Sequence, residues 1–367
     1  MDLSRRTFLQ ATAAGAITLY TTTAEGLPRA VATGLPGATL PASSIPQFKN
    51  AVVNPQNVYT YKTRWTSHGT ADYYEMSIRQ VKQQMLPAGM PRTDVWAYGP
   101  TGAPDSAFHA PGLTIVARPE SPVQVKWTNE LMDAYGNYRP HLFAVDKSLH
   151  WANVPQDPAM GLTMTDMKPD LTGLTYVRPE DFADPKTQYT NYTGPVPIVT
   201  HLHGAAGVVD HSDGYSEAWY LPAARNIPAG HATHGRWWNF LATKARNQDG
   251  AVWGNGYQIA TYPNKNRACT LWFHDHALGL TRLNVYSGAT SFYITKDLAT
   301  DAIDSRTGYP AVSPYSPSNY YGLNSPNAGY DLPLAIQDRS FNSDGSLFYP
   351  DSREYFDGYT GPLLPAG

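Results

Sequence analysis

The sequence has 367 residues, a net charge of −3 and 16% charged residues, with 30 Gly, 31 Pro, 25 Tyr and 9 Trp. That length holds two or three average domains, or one large all-β domain with insertions; the near-neutral balance argues against a nucleic-acid or anionic-membrane partner. The single cysteine, Cys269, excludes an intrachain disulfide framework, and the Gly, Pro, Tyr and Trp content favours a turn-rich β protein.

In chain order, LSRRTFLQATAAGAITLY places Arg5 and Arg6 before Phe8, Leu9 and a mild apolar segment of small residues. This resembles a twin-arginine export signal, so residues 1–45 are expected to be signal and linker, with the mature protein periplasmic or extracellular. No run of about 18 apolar residues follows, and no membrane span is expected. In residues 72–86, Tyr74, Met76 and Ile78 alternate as in a first strand. In residues 121–129, Val123, Val125 and Trp127 face one way and Gln124 and Lys126 the other. Long excursions at about 130–195 and 221–258 read as insertions or lids. Strands are expected at 196–204, 268–276 and 289–295. A Pro, Ser and Tyr-rich linker, about 301–330, then leads to DLPLAIQDRSF (331–341), expected as a new strand. No long amphipathic helix is evident.

Two stretches carry chemistry. In IVTHLHG, His201 and His203 share one face of a strand, because successive side chains alternate. In TLWFHDH, His274 and His276 do the same, with Asp275 opposite. Each pair sets two imidazoles roughly 6–7 Å apart along a strand edge, a spacing better suited to neighbouring metal ions than to chelation of one. Imidazole suits copper, zinc, iron and nickel. The remaining histidines, His68, His109, His141, His150, His211, His231 and His234, are read as solvated loop residues, with His150 the one to watch.

THLHG…SDGYSEAW followed by WFHDHALGLTRLNVYSGATSFYI resembles the spore-coat laccase and bilirubin oxidase branch of the bacterial multicopper oxidases. The resemblance runs from about residue 70 to 350. It implies an all-β, cupredoxin-like Greek-key β-sandwich with long insertions over residues 50–300, and the start of a second cupredoxin domain at 331–367. It further implies that His201 ligates a type 2 copper and that His203, His274 and His276 ligate paired type 3 coppers. Asp213, in SDGYSEAW, matches an acidic residue that helps protonate reduced oxygen; read from its residues alone it is equally an Asx-turn residue before Gly214. Arg282 and Asn284 are expected to fix the loop after the strand, and Asp275 to accept hydrogen bonds at the strand end or behind a ligand.

The implied activity couples one-electron oxidation of phenolic, aryl amine or bilirubin-like donors to four-electron reduction of O2 to water. The family's cluster takes four His-x-His pairs, and two are present. The type 1 copper, with its thiolate and two imidazoles, is expected only in a C-terminal domain that is missing here. Cys269 reads as a small buried strand residue. The chain is therefore expected to be the N-terminal portion of an oxidase, inactive by itself and needing those cupredoxin domains or a complementing chain. It is also expected to be marginally folded when isolated. The alternative is a non-catalytic exported copper-binding or cell-envelope protein; a zinc hydrolase is disfavoured because no His-Glu-x-x-His helix is present.

Overall fold

The computed structural model describes residues 39–51, 62–66, 69–145, 151–152, 154, 192–296 and 334–350. Two sheets pack face to face. The first joins β1 (Lys62–Thr66), β2 (Gly69–Gln83), β5 (Val123–Asn129) and β7 (Tyr257–Tyr262) in that order, with β3 (Thr93–Pro100) also paired to the long β2. The second runs β4 (Ile115–Ala117), β9 (Thr290–Thr295), β8 (Cys269–Asp275), β6 (Thr200–His203). β2 pairs with β5 and β4 with β9 in parallel, and the remaining ladders are antiparallel. The molecule is thus the all-β, cupredoxin-like sandwich that the sequence leads one to expect.

The core between the sheets follows from alternation. Tyr74, Met76 and Ile78 of β2 and Val123, Val125 and Trp127 of β5 are all buried in it. Trp127 and Tyr98 of the first sheet meet Phe273 of the second at ring-centroid distances of 4.9 and 5.2 Å, a tilted and an edge-on contact of the kind aromatic quadrupoles favour. β8 turns Cys269, Leu271 and Phe273 towards this core, which leaves Trp272 and His274 on the other face. Cys269 is half-buried rather than buried, its N–H donating to Thr295 Oγ1 at 3.0 Å.

Two expectations are corrected. Gln124 faces away from Val123 and Val125 as expected, yet it is buried and donates to Thr261 Oγ1 at 3.2 Å. The reason is a helix that periodicity missed, α1 (Trp238–Asp249), inside the 221–258 excursion. Its Leu241 and Ala245 pack on Ile259 of β7 and cover that side of the sheet. In 331–341, residues 331–333 lie outside the described set, and only Ser340–Phe341 (β10) forms a strand, paired with Leu347–Phe348 (β11). Residues 334–339 find no ladder partner among the described residues, and Leu334 and Ile336 are exposed.

A second core lies on the other side of β3, where Val95 and Ala97 meet Phe108, Phe143, Leu280, Leu283, Phe341 and Leu347. Leu280 and Leu283 belong to or adjoin a short helix, α2 (Thr281–Ser287), where a loop was expected. This core supports the end of β8 from below. None of the described helices is long and apolar enough to cross a membrane.

Candidate metal centre

β6 and β8 pair antiparallel with His201 opposite His274 and His203 opposite Trp272. Directly opposed residues point to the same face, so the register alone gathers three side chains of the two His-x-His motifs beside one indole. His276 follows the end of β8 and joins them: its ring centroid is 4.9 Å from that of His201 and 5.8 Å from that of His274. The rings of His201 and His203 are 5.5 Å apart. The candidate ligand atoms of His201, His203 and His274 lie within 4.8 Å of one another. They are close enough to line one metal centre, which strand spacing alone does not predict, because the cross-strand pairing adds to it.

Which nitrogen each ring presents is set by what holds the other. His201 Nδ1 is 2.5 Å from the carbonyl oxygen of Asp213, and His276 Nδ1 is 3.1 Å from that of Gly214. His274 Nδ1 is 2.7 Å from the carbonyl oxygen of Asp275. A carbonyl accepts, so each Nδ1 carries the hydrogen and each Nε2 keeps its lone pair for a metal. His203 differs: its Nδ1 is 3.3 Å from His274 Nε2 and its ring stacks on Trp272 at 5.1 Å and 25°. Because His274 Nε2 is the acceptor of that pair, His203 Nδ1 donates. Trp272 also stacks on His274 at 4.2 Å and 27°.

The electrostatics keep the inner ring neutral. Burial, reinforced by the three neighbouring imidazoles, pulls His274 down to about 4, and burial lowers His276 as well. Burial also acts downward on His201, but the carboxylate and carbonyl of Asp213 outweigh it and raise that ring above its ordinary value. Four imidazoles, three with fixed Nδ1–H, form a donor set that fits copper.

Asp213 and Gly214 sit in the loop after a 3-10 turn, Asp210–Ser212. The Asp213 carboxylate is 51% exposed with Oδ1 3.4 Å from His201 Nδ1; among the described residues it makes no bond to the backbone of its own turn. Gly214 has φ +72°, and a Cβ there would lie 2.4 Å from the Thr200 oxygen and 2.6 Å from His201 Cα. Only glycine brings this loop close enough for its carbonyls to reach two rings.

Behind these imidazoles runs a buried chain that begins at Asp275, the acceptor expected at the strand end, and continues through residues read as loop. Asp275 is fully buried and accepts from Val199 N (3.0 Å), Ala277 N (3.0 Å) and Asn284 Nδ2 (2.7 Å). Burial pushes its carboxyl up to about 7 against these donors. Asn284, on α2, accepts in turn from His141 Nε2 at 3.0 Å, while Phe143 N donates to His141 Nδ1 at 3.0 Å. His141 is therefore a structural histidine rather than a solvated one, as is His211, which is fully buried against Asp249. Among the described residues Arg282 reaches the Gly279 oxygen, at 3.4 Å. His68 and His150 lie outside the described residues. Trp272 was also missed; its place opposite His203 could have been read only from the β6–β8 register.

No family model matches the chain. Among curated proteins it is 30% identical over 278 residues to a laccase of Bacillus stratosphericus, covering 76% of this chain and 36% of that one. It is 28% identical over 353 residues to a laccase of Haloferax volcanii, covering 95% of this chain and 43% of that one. A crystal structure of a multi-copper oxidase from Pediococcus acidilactici aligns with TM-score 0.42 at 15% identity, covering 83% of this chain and 38% of that one. The chain spans less than half the length of these relatives.

Proposed function

The chain belongs to the multicopper oxidase family, and on that premise we propose that it supplies half the ligands of a trinuclear copper cluster in an exported laccase-like oxidase. In this reading His201 holds the type 2 copper, and His203, His274 and His276 hold the type 3 pair. The observation that carries it is the convergence of three imidazole ligand atoms within 4.8 Å, with the Nδ1–H of His201 and His274 committed to carbonyls. Copper bound there supplies the redox chemistry, four-electron reduction of O2 to water, with electrons drawn singly from phenolic, aryl amine or bilirubin-like donors.

The chain's own residues do the rest. The three carbonyl-held rings keep their orientation without metal, so little ordering is needed when copper enters. Asp213, half-exposed beside His201, takes a proton from water at its carboxylate oxygen and passes it towards the cluster edge, a general-acid role within hydrogen-bond reach of the site. Electron entry needs a thiolate between imidazoles. Cys269 instead faces the core beside Thr295, with Sγ 3.5 Å from Oγ1. That entry site therefore belongs to further cupredoxin domains or a complementing chain. The paired arginines Arg5 and Arg6 support export by the twin-arginine route to the periplasm or beyond.

The test titrates the purified 367-residue chain with cupric ion and follows oxygen uptake with a phenolic donor. We expect copper held through imidazole nitrogens, binding lost in a His201→Ala/His203→Ala/His274→Ala variant, and no sustained uptake. Binding unchanged in the triple variant would overturn the ligand set. Sustained uptake by the chain alone would overturn the need for further domains. Several ions held tightly would favour a storage or binding role over half a cluster.

A further inference from the structure

The loop that holds His201 and His276 is itself held from a distance. His211, in the 3-10 turn Asp210–Ser212, has a fully buried side chain whose Nε2 lies 2.9 Å from Asp249 Oδ2; the Asp249 side chain is 6% exposed. Asp249 is the last residue of α1. A carboxylate there meets the negative end of the helix, and its burial carries a desolvation cost. Such a pair is a poor source of stability compared with apolar packing, and what it offers is a fixed geometry. Among the described residues His211 Nδ1 makes no hydrogen bond, with Asp210 Oδ1 3.5 Å away, so the ring's one hydrogen bond there is the one to Asp249. Two more bonds fix the same turn: Lys244 of α1 to Asp210 at 2.5 Å, and Thr261 N of β7 to Ser212 Oγ at 2.9 Å. Immediately after it come the Asp213 and Gly214 carbonyls that take the Nδ1 hydrogens of His201 and His276.

We propose that His211 and Asp249 form a positioning latch that fixes the tautomers of His201 and His276, and so decides which nitrogen these two rings offer a metal. His274 lies outside its reach, because its Nδ1 is held by the carbonyl of the next residue in its own chain segment. The latch matters to copper only on the reading that these imidazoles are ligands, but it exists in the metal-free protein and can be tested there.

The experiment records 15N spectra of the histidine-labelled, metal-free chain near pH 8, followed by titration with cupric ion alone. The wild-type chain should show the Nδ1–H form at His201, His274 and His276. In a folded His211→Leu variant His201 and His276 should average between tautomers while His274 keeps its own. Asp249→Asn, which retains an acceptor for His211 Nε2–H, should restore the wild-type pattern. Copper affinity should fall by about tenfold or more in His211→Leu, the usual scale for groups that orient ligands, and stay near wild type in Asp249→Asn. If His211→Leu does not fold, Asp249→Ala carries the same expectation from the helix side. Tautomers unchanged in either cut, all three rings changing together, or a wild-type chain without Nδ1–H at His201 and His276 would each overturn the latch. Copper that fails to bind the wild-type chain would count against the ligand reading and leave the tautomer result standing.

Discussion

Two imidazoles of the site, His201 and His276, are held by a loop, and the other two, His274 and His203, by their own strand and its neighbour. The loop-held pair owe their orientation to Asp213 and Gly214, which are 12 and 62 residues away from them in sequence. The strand-held pair owe theirs to the adjacent Asp275 carbonyl and to Trp272, two residues before His274 and directly across the ladder from His203. One half of the site therefore depends on tertiary packing, whereas the other is nearly complete once β6 and β8 pair. Damage should separate the two halves.

The largest effect is expected at Gly214→Ala. The new methyl would meet the Thr200 oxygen at 2.4 Å and His201 Cα at 2.6 Å, on a backbone with φ +72°. Left-handed strain and overpacking together cost about 2–5 kcal/mol. Gly230→Ala is the control: its φ is +85°, but nothing lies within 4 Å of the added carbon, so it should lose only about 1–2 kcal/mol. Denaturant unfolding of both variants separates clash from conformation. Equal losses would mean that the loop can retreat from β6 and that the loop-held half is less rigid than its geometry implies.

The strand-held half has a buried footing, and pH should expose it. His141 donates to Asn284, which donates to Asp275, and burial holds His141 down to about 4 from an ordinary 6.5. The unfolded chain takes up this proton below 6.5 and the folded chain only below about 4, so stability is full above 6.5 and falls as pH drops through that window. From pH 7.5 to 4.5 the loss assignable to His141 is about 2–3 kcal/mol. Asp275, whose carboxyl burial raises to about 7, gains stability over the same interval, so the measurement is the difference between wild type and His141→Gln in urea unfolding at the two pH values. A pH slope unchanged in His141→Gln would remove His141 from the footing.

What the sequence disclosed follows the same division. Alternation exposed the inward faces of β2, β5, β6 and β8, and so it brought two pairs onto view, His201 with His203 and His274 with His276; joining the pairs took the β6–β8 register. It did not disclose α1, whose buried stripe is Leu241, Ala245 and Asp249: one strong apolar residue, one weak one and a carboxylate make almost no helical pattern. His141 and His211 were misread for a related reason. A buried histidine is recognised by the Asn or Asp that satisfies it, and those partners, Asn284 and Asp249, lie 143 and 38 residues on. Asn284 was singled out as a residue that fixes local structure, which it does, but from a helix and towards Asp275.

The smallest effect sharpens the comparison within the strand-held half. Among the four rings His203 alone has no carbonyl on its Nδ1. It is the most exposed of them, and its partners are His274 Nε2 and the indole of Trp272. Trp272 is itself 37% exposed, so its stacking on two imidazoles contributes more to their order than to the core. Trp272→Leu keeps an apolar cover over β8 and removes the stack. It should lower stability by only about 1 kcal/mol, the scale of one aromatic pair. Without the stack His203 is left with a single hydrogen bond to a ring that copper would claim, and its side chain regains rotamer freedom. Cupric affinity should then weaken by less than about tenfold, and the weakening should vanish in a His203→Ala background, because the indole acts through that ring. If Trp272→Leu weakens copper equally with His203 already absent, the indole supports His274 instead, and the strand-held half rests on one ring and its carbonyl rather than on two rings and a shared platform.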